Sequence, residues 1–207
     1  MPLAYYITDR QTCSSPILQQ IQQAIDASVD LIQIREKDLA TRPLLELACR
    51  ALELAMGSQS KILINDRVDI ALAGRLDGVQ LGHHSVEIGT VRNQLGGMNL
   101  MIGASVHSMD EFLQAATQGA SFATLGPIFA TPSKAAYGPP LGLELLTAVC
   151  QRASIPVFAL GGIGLENYPS CLAAGAAGVA AIRLFQTPET LDRAVHGIHD
   201  FLPTASH

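Results

Sequence analysis

Leu31-Ile32-Gln33-Ile34-Arg35-Glu36-Lys37-Asp38 is a short, mostly apolar run that stops in a knot of charge. A run this brief, apolar almost without interruption, reads as a strand buried on both faces rather than as a helix. The same cadence recurs along the chain. Leu3 to Ile7 runs into Thr8-Asp9, Lys61 to Ile64 into Asn65-Asp66, and Gly78 to Leu81 into Gly82-His83-His84. Met101 to Ala104 leads to Ser105-Val106-His107, Phe122 to Leu125 to Gly126-Pro127, Pro156 to Leu160 to Gly161-Gly162, and Gly178 to Ile182 to Arg183. Between these runs lie segments with helical spacing, such as Ile17-Ile21-Ile25 and Leu44-Leu47-Ala48-Ala51-Leu52-Ala55. Alternation of this kind predicts an α/β protein, and eight repeats predict a single (β/α)8 TIM barrel whose strand ends meet on one face.

An open doubly wound sheet is the competing architecture. A second pattern favours closure: Ala27-Ser28-Val29-Asp30-Leu31, Gly74-Arg75-Leu76-Asp77-Gly78, Gly119-Ala120-Ser121-Phe122 and Gly175-Ala176-Ala177-Gly178 stand before the even-numbered strands. The recurring unit is then two βα modules, as a barrel permits. The 207 residues, 48% of them apolar, are expected to form one domain over 1–207. The longest irregular stretch, about 129–142, contains Pro132, Pro139 and Pro140 and is expected to act as a lid over the site.

The formal charge is −5 and no block of basic residues occurs, which argues against a nucleic-acid surface. Cys13, Cys49, Cys150 and Cys171 are widely spaced and form no C-x-x-C pair, so reduced, packed thiols are expected. No apolar run approaches the roughly 18 residues of a membrane span, and the expectation is a cytoplasmic protein acting on small molecules. Self-association into a homo-oligomer stays open.

Gln33-x-Arg35-x-Lys37 carries the strongest local signal. If the chain stays extended, period-two spacing sends an amide, a guanidinium fork and an ammonium to one side, a trio able to grip a diphosphate. The alternative is that Arg35 and Lys37 pair with Glu36, Asp38 or other rim carboxylates. Asp66 reads either as a helix N-cap or, beside Asn65, as a Mg2+ ligand. Ser105 offers a hydroxyl to a phosphate oxygen or caps the helix that begins near Ser108. Thr131, Ser133 and Lys134 place two hydroxyls and a cation on the long loop. Gly161-Gly162 follows the seventh strand, where barrels often bind phosphate through bare N–H groups. His83 and His84 lack zinc-site spacing, although one of them can face the pocket; His196, His199 and His207 are expected on solvated surface.

Taken as a set, Gln33-Ile34-Arg35-Glu36-Lys37-Asp38, Ile64-Asn65-Asp66-Arg67, Gly78-Val79-Gln80-Leu81-Gly82, Ser105-Val106-His107, the loop Gly126 to Lys134, Pro139-Pro140-Leu141-Gly142-Leu143 and Gly161-Gly162-Ile163 resemble the thiamin phosphate synthase and TenI superfamily. The resemblance implies union of hydroxymethylpyrimidine diphosphate with hydroxyethylthiazole phosphate: diphosphate departs, and the thiazole nitrogen captures the pyrimidine-methyl cation. It implies that Gln33, Arg35, Lys37, Ser105 and Lys134 hold the diphosphate, that Asp66 binds Mg2+ with Asn65 beside it, that Thr131 and Ser133 lie near the thiazole, and that Gly161-Gly162 takes its phosphate. The partners implied are small phosphorylated substrates.

Two positions depart from the synthase pattern. Ser85 or a neighbour stands where a second Mg2+-binding Asp is usual, and Arg183 where the thiazole-phosphate site usually has serine. Gln80-Leu81-Gly82-His83-His84-Ser85 is similar to the TenI branch, which implies thiazole tautomerase activity as an alternative. The histidine of that activity corresponds to Pro127, so His107 or His84 would have to substitute. A non-catalytic protein that binds thiamin phosphate or a precursor is the third reading. Retention of the cationic trio with Asn65-Asp66 favours the synthase.

Overall fold

The computed structural model describes residues 1–131 and 139–202 and shows a closed barrel of eight parallel strands. In chain order the strands are β1 Leu3–Ile7, β2 Leu31–Ile34, β3 Lys61–Asn65, β4 Gly78–Leu81, β5 Met101–Val106, β6 Phe122–Leu125, β7 Val157–Leu160 and β8 Gly178–Ala181. Each is followed by its helix: α1 Ile17–Asp26, α2 Thr41–Ala55, α3 Val68–Ala73, α4 Ile88–Gln94, α5 Met109–Thr117, α6 Gly142–Gln151, α7 Tyr168–Ala173 and α8 Pro188–His199. β1 pairs with β8 through Leu3 and Gly178, which excludes the open sheet. The expected strands are all present, but β3 and β5 run on to Asn65 and Val106, β7 begins only at Val157, and β8 ends at Ala181.

Side chains alternate between two cores. One alternate set of strand residues, including Tyr6, Ile32, Ile62 and Ile64, packs outward against the helices. The other fills the barrel: Tyr5, Phe122 and Phe158 meet edge to face, with ring centroids 5.4 to 5.7 Å apart. Space for these rings comes from glycine, since a Cβ on Gly103 would stand 2.4 Å from Phe122 and one on Gly178 would stand 2.7 Å from Phe158.

The repeat before the even strands is a helix stop followed by a strand start. Ser28, Arg75, Gly119 and Gly175 all have positive φ, 64°, 52°, 91° and 97°. Each ends its helix in a Schellman turn; the next residue, Val29, Leu76, Ala120 or Ala176, is buried and donates its N–H back to Ala24, Ala71, Ala115 or Cys171. The residue after that then ties the even strand to the start of its predecessor. Asp30, Asp77, Ser121 and Ala177 donate their N–H to the carbonyls of Ala4, Ile62, Ile102 and Val157. Three of the four return a side chain as well: Asp30 Oδ2 accepts Ala4 N–H at 2.8 Å, Asp77 Oδ2 accepts Ile62 N–H at 2.8 Å, and Ser121 Oγ accepts Ile102 N–H at 3.0 Å. The quasi-repeat is therefore a fastening device on the strand-start face.

The same face corrects one expectation. His199 is not solvated surface: its Nε2 lies 2.8 Å from Asp30 Oδ2, and its side chain is 17% exposed, fastening α8 beneath β1 and β2. His196 is exposed as expected, and His207 lies outside the described residues. The four cysteines are free; burial pushes the thiols of Cys150 and Cys171 up to about 11 and about 12, as packed, inert thiols require. Among the described residues no helix is long and apolar enough to cross a membrane.

Candidate active site

At the opposite face the strand ends are joined by a chain of polar contacts that starts inside the barrel. Tyr5 is fully buried, and its hydroxyl lies 3.3 Å from Gln33 Oε1 and 3.2 Å from Gln80 Oε1. One phenolic proton serves one of these acceptors at a time. Gln33 Nε2 donates to Asn65 Oδ1 at 3.1 Å, and Asn65 Nδ2 donates to Asp66 Oδ2 at 2.6 Å. On the other branch Gln80 Nε2 donates to Ser105 Oγ at 3.0 Å and to Thr124 Oγ1 at 3.3 Å. Gln33, Asn65, Asp66 and Ser105, four of the residues singled out in the sequence, thus belong to one network spanning β1 to β6. A Cβ at position 103 would sit 2.2 Å from Gln80 Oε1, so Gly103 also makes room for this amide.

The cationic trio does not form by strand alternation alone. β2 ends at Ile34, Gln33 is buried at the inner end of the network, Arg35 is half-buried, and Lys37 is exposed in the turn that follows. The extended chain assumed for the trio stops too early to carry Lys37 along with the other two. The alternative, pairing of Arg35 and Lys37 with the neighbouring acids, does not occur among the described residues either. Glu36 accepts the Thr8 hydroxyl at 2.6 Å and the Arg10 N–H at 3.2 and 3.1 Å, and Asp38 pairs with Arg10 Nη2. Burial raises the Glu36 carboxyl above its ordinary value, partly offset by the Thr8 and Arg10 hydrogen bonds.

Asp66 is not an N-cap. Arg67 holds the N-cap position of α3 without a capping side chain, while Asp66 adopts a left-handed backbone with φ 61°. Its carboxylate instead takes a short hydrogen bond from Ser85 Oγ at Oδ1 and the Asn65 amide at Oδ2, and Ser85 Oγ accepts Gly82 N–H at 2.7 Å. Ser85, the residue standing where a second carboxylate was expected, is therefore in contact with Asp66. Among the described residues no group of three His, Cys, Asp or Glu gathers to hold a metal. The donor chemistry at Asp66 and Ser85 still suits Mg2+: one carboxylate with lone pairs left over and a serine oxygen are compatible with an ion that keeps most of its shell as water and substrate phosphate, whereas Asn65 turns its Nδ2 toward Asp66 and its oxygen toward Gln33.

The remaining candidates are distributed around the same rim. Ser105 is not the helix cap; Ser108 is, accepting Glu111 N–H at 3.2 Å. His107 is tied at both its N–H and its Nδ1 to Glu111 Oε2, at 2.7 and 3.1 Å. His83 and His84 are exposed, their rings meeting edge to face at 75° with centroids 5.1 Å apart. Arg183 begins a short 3-10 turn after β8 and is exposed.

Gly161 and Gly162 have φ 99° and 66°, and the chain from β6 crosses directly over them: a Cβ on Gly161 would lie 2.7 Å from Pro127 and one on Gly162 would lie 2.6 Å from the Ala130 carbonyl. Asn167, which the sequence reading passed over, accepts Gly164 N–H at 2.8 Å and donates to the Gly162 carbonyl at 2.9 Å, holding this turn in shape. The N–H groups of Gly162 and Ile163 have no partner among the described residues. Thr131 ends the described part of the long loop; Ser133, Lys134 and most of the expected lid lie outside the described residues.

Fold and rim together define a (β/α)8-barrel protein with cations, hydroxyls and bare backbone N–H groups gathered at its strand ends. Residues 4–185 match the family model described as thiamine monophosphate synthase, and the chain belongs to that family. A Geobacter sulfurreducens protein with a provisional thiamine-phosphate synthase name is 47% identical over 92% of this chain and 90% of its own. The thiamine-phosphate synthase of Roseiflexus sp. is 36% identical over 95% of this chain and 84% of its own. Among solved structures, thiamine phosphate pyrophosphorylase from Pyrococcus furiosus superposes with a TM-score of 0.84 at 32% identity, covering 95% of this chain and 93% of that one.

Proposed function

We propose that the protein joins hydroxymethylpyrimidine diphosphate to hydroxyethylthiazole phosphate, releasing diphosphate and forming thiamin phosphate. The observation that supports the reading is the Tyr5-Gln33-Asn65-Asp66-Ser85 chain of contacts, with Ser105 joined to it through Gln80, which links the Gln33 amide, the Asp66 carboxylate and the Ser105 hydroxyl along one rim in a member of this family.

Arg35 and Lys37 supply positive charge to the departing diphosphate, and Ser105 adds a donor from β5. Charge that develops on the leaving group is met by groups already oriented, so the catalysis is mainly electrostatic. When bound at Asp66, with Asn65 and Ser85 beside it, Mg2+ would neutralise diphosphate oxygens. Lys134 would close on the same anion, and Thr131 and Ser133 would lie beside the thiazole, as the family resemblance implies. The bare N–H groups of Gly162 and Ile163 suit the thiazole phosphate, and Arg183, in the 3-10 turn after β8, is the cation that follows the next strand. His84 and His107 border the site without an assigned proton transfer; Pro127, at the tautomerase histidine position, has none to offer.

Purified protein given the pyrimidine diphosphate, the thiazole phosphate and Mg2+ should form thiamin phosphate and diphosphate in equal amounts. Binding of both substrates without turnover would overturn the reading in favour of a binding protein. Aromatisation of a thiazole carboxylate tautomer without coupling would overturn it in favour of a tautomerase.

A further inference from the structure

Two acids alternate with Arg35 and Lys37 in the sequence, and one residue from the β1–α1 loop takes up both. Arg10 uses its backbone N–H on Glu36, places Nε 3.7 Å from Glu36 Oε2, and donates Nη2 to Asp38 Oδ2; Gln11 Nε2 reaches Asp38 as well, at 3.1 Å. Arg10 Nε is buried with no hydrogen bond, so the two carboxylates, rather than complete pairing of the guanidinium, set how this side chain lies. Thr8 joins the arrangement to the backbone of Arg35: the hydroxyl that donates to Glu36 accepts the Arg35 backbone N–H at 3.0 Å.

The arrangement matters because an anion can occupy a cation only if a local acid does not. Glu36 and Asp38 are bonded neighbours of Arg35 and Lys37, and a carboxylate turned toward either one would have to be displaced before a phosphate oxygen could bind. Among the described residues no acid is paired with Arg35 or Lys37, and both acids that could be are engaged on the Arg10 side.

We infer that Arg10 is a positioning residue, which draws Glu36 and Asp38 aside and so keeps Arg35 and Lys37 open to a diphosphate; the inference rests on the diphosphate reading above. In an Arg10→Ala variant the backbone N–H at position 10 and Thr8 still hold Glu36, so the acid that loses its ion pair is Asp38, left with only the neutral Gln11 amide. Removing its charge should then undo the damage.

The test is calorimetric titration of inorganic diphosphate into the wild type, Arg10→Ala, Asp38→Asn, the double variant and Arg35→Ala. Arg10→Ala should weaken binding about five-fold, the scale of a partly exposed ion pair, and Asp38→Asn in that background should restore most of the loss. Unchanged binding by Arg10→Ala overturns the inference. So does a double variant as weak as Arg10→Ala, because Arg10 would then touch the anion or merely shape the loop. Wild-type binding by Arg35→Ala would instead remove the diphosphate site, and the inference with it. If Arg10→Ala does not fold, Arg10→Gln takes its place in the same cycle.

Discussion

The two ends of the barrel use the same residue types to opposite purposes. On the strand-start face, Asp30 and Asp77 accept strand N–H groups while pairing with His199 and Lys61. Arg92 there is likewise spent on structure, donating to the carbonyls of Gly119 and Leu100 and to Ser121 Oγ. On the strand-end face Arg35 and Lys37 have no carboxylate partner among the described residues, and Asp66 is held by two small polar groups in a backbone conformation unusual for a side chain. Charges satisfied by the backbone stabilise; charges left partly unsatisfied are available to a ligand. The contrast predicts that substitutions at one end change turnover and those at the other change stability.

The largest effect should come from Arg35→Ala. Loss of one preorganised charge at a leaving group should lower kcat/KM by about 10^2 to 10^3 with little change in the unfolding midpoint. An equal loss of stability would blur the division between the two faces. Asp30→Ala tests the other end: it strands the buried Ala4 N–H and releases His199, so unfolding in urea should become easier by about 2 kcal/mol. On the thermal scale that is a fall of roughly 4 to 8 °C for a chain of this size, with kcat unchanged in the molecules that remain folded.

A gentler test uses the strand-end face alone. Ser85→Asp places a second carboxylate against Asp66 and should lower the Mg2+ concentration needed for half-maximal turnover by about ten-fold, since hard dications favour added anionic oxygen. An unchanged requirement would mean that water or substrate already fills that part of the shell.

The architecture was legible in the sequence because burial on both faces writes continuous apolar runs, and eight of them leave few alternatives. The even-strand repeat was legible as a pattern, but its cause was not: Ser28 and Arg75 hide left-handed helix stops in residues that do not advertise them as Gly119 and Gly175 do. At the site, the residue types at strand ends were recoverable, whereas partners were not. Nothing in the spacing pointed to Arg10 as the partner of Glu36 and Asp38, because the contact joins loops 26 to 28 residues apart. The cap and the Mg2+ readings of Asp66 could not be separated in the sequence, since an acid before a helix is often a cap; its backbone conformation turns it toward Ser85 instead. His199 read as solvated since polarity near a helix end gives no hint of an acid waiting beneath it.

Glu36 sharpens the comparison through pH. Its folded-state carboxyl is raised by burial above the ordinary value of 4.5, so the folded protein holds this proton more tightly than the unfolded chain does. The sign follows directly: the contribution is present below 4.5 and is lost as pH rises from there through the folded value. Glu36→Gln removes that proton from the balance. The difference in urea midpoint between wild type and variant should therefore move against the wild type as pH climbs through this window; a difference independent of pH would show that Glu36 ionises as freely folded as unfolded.

The smallest effect tests the one quarter of the strand-start face that lacks its fastening. Ala177 occupies the position of Asp30, Asp77 and Ser121 and donates its own N–H to Val157 at 2.8 Å, yet its methyl group returns nothing to the Val157 N–H. Pro156, one residue earlier, has no N–H to give, so β7 begins without either of the contacts made by Leu3 and Ala4 in β1. An open pocket of about 280 Å3 lies here, lined by Cys150, Ser154, Pro156, Val157, Gly175 and Ala177, with room for a longer side chain. Ala177→Asp should complete the fourth fastening and stabilise the fold by about 1 kcal/mol, the net value of one such hydrogen bond. Turnover should not change, because the pocket opens away from the strand-end rim. A rise in the unfolding midpoint would show that the four quarters are interchangeable in energy as well as in geometry; no rise would show that this quarter does without a side-chain acceptor at no cost.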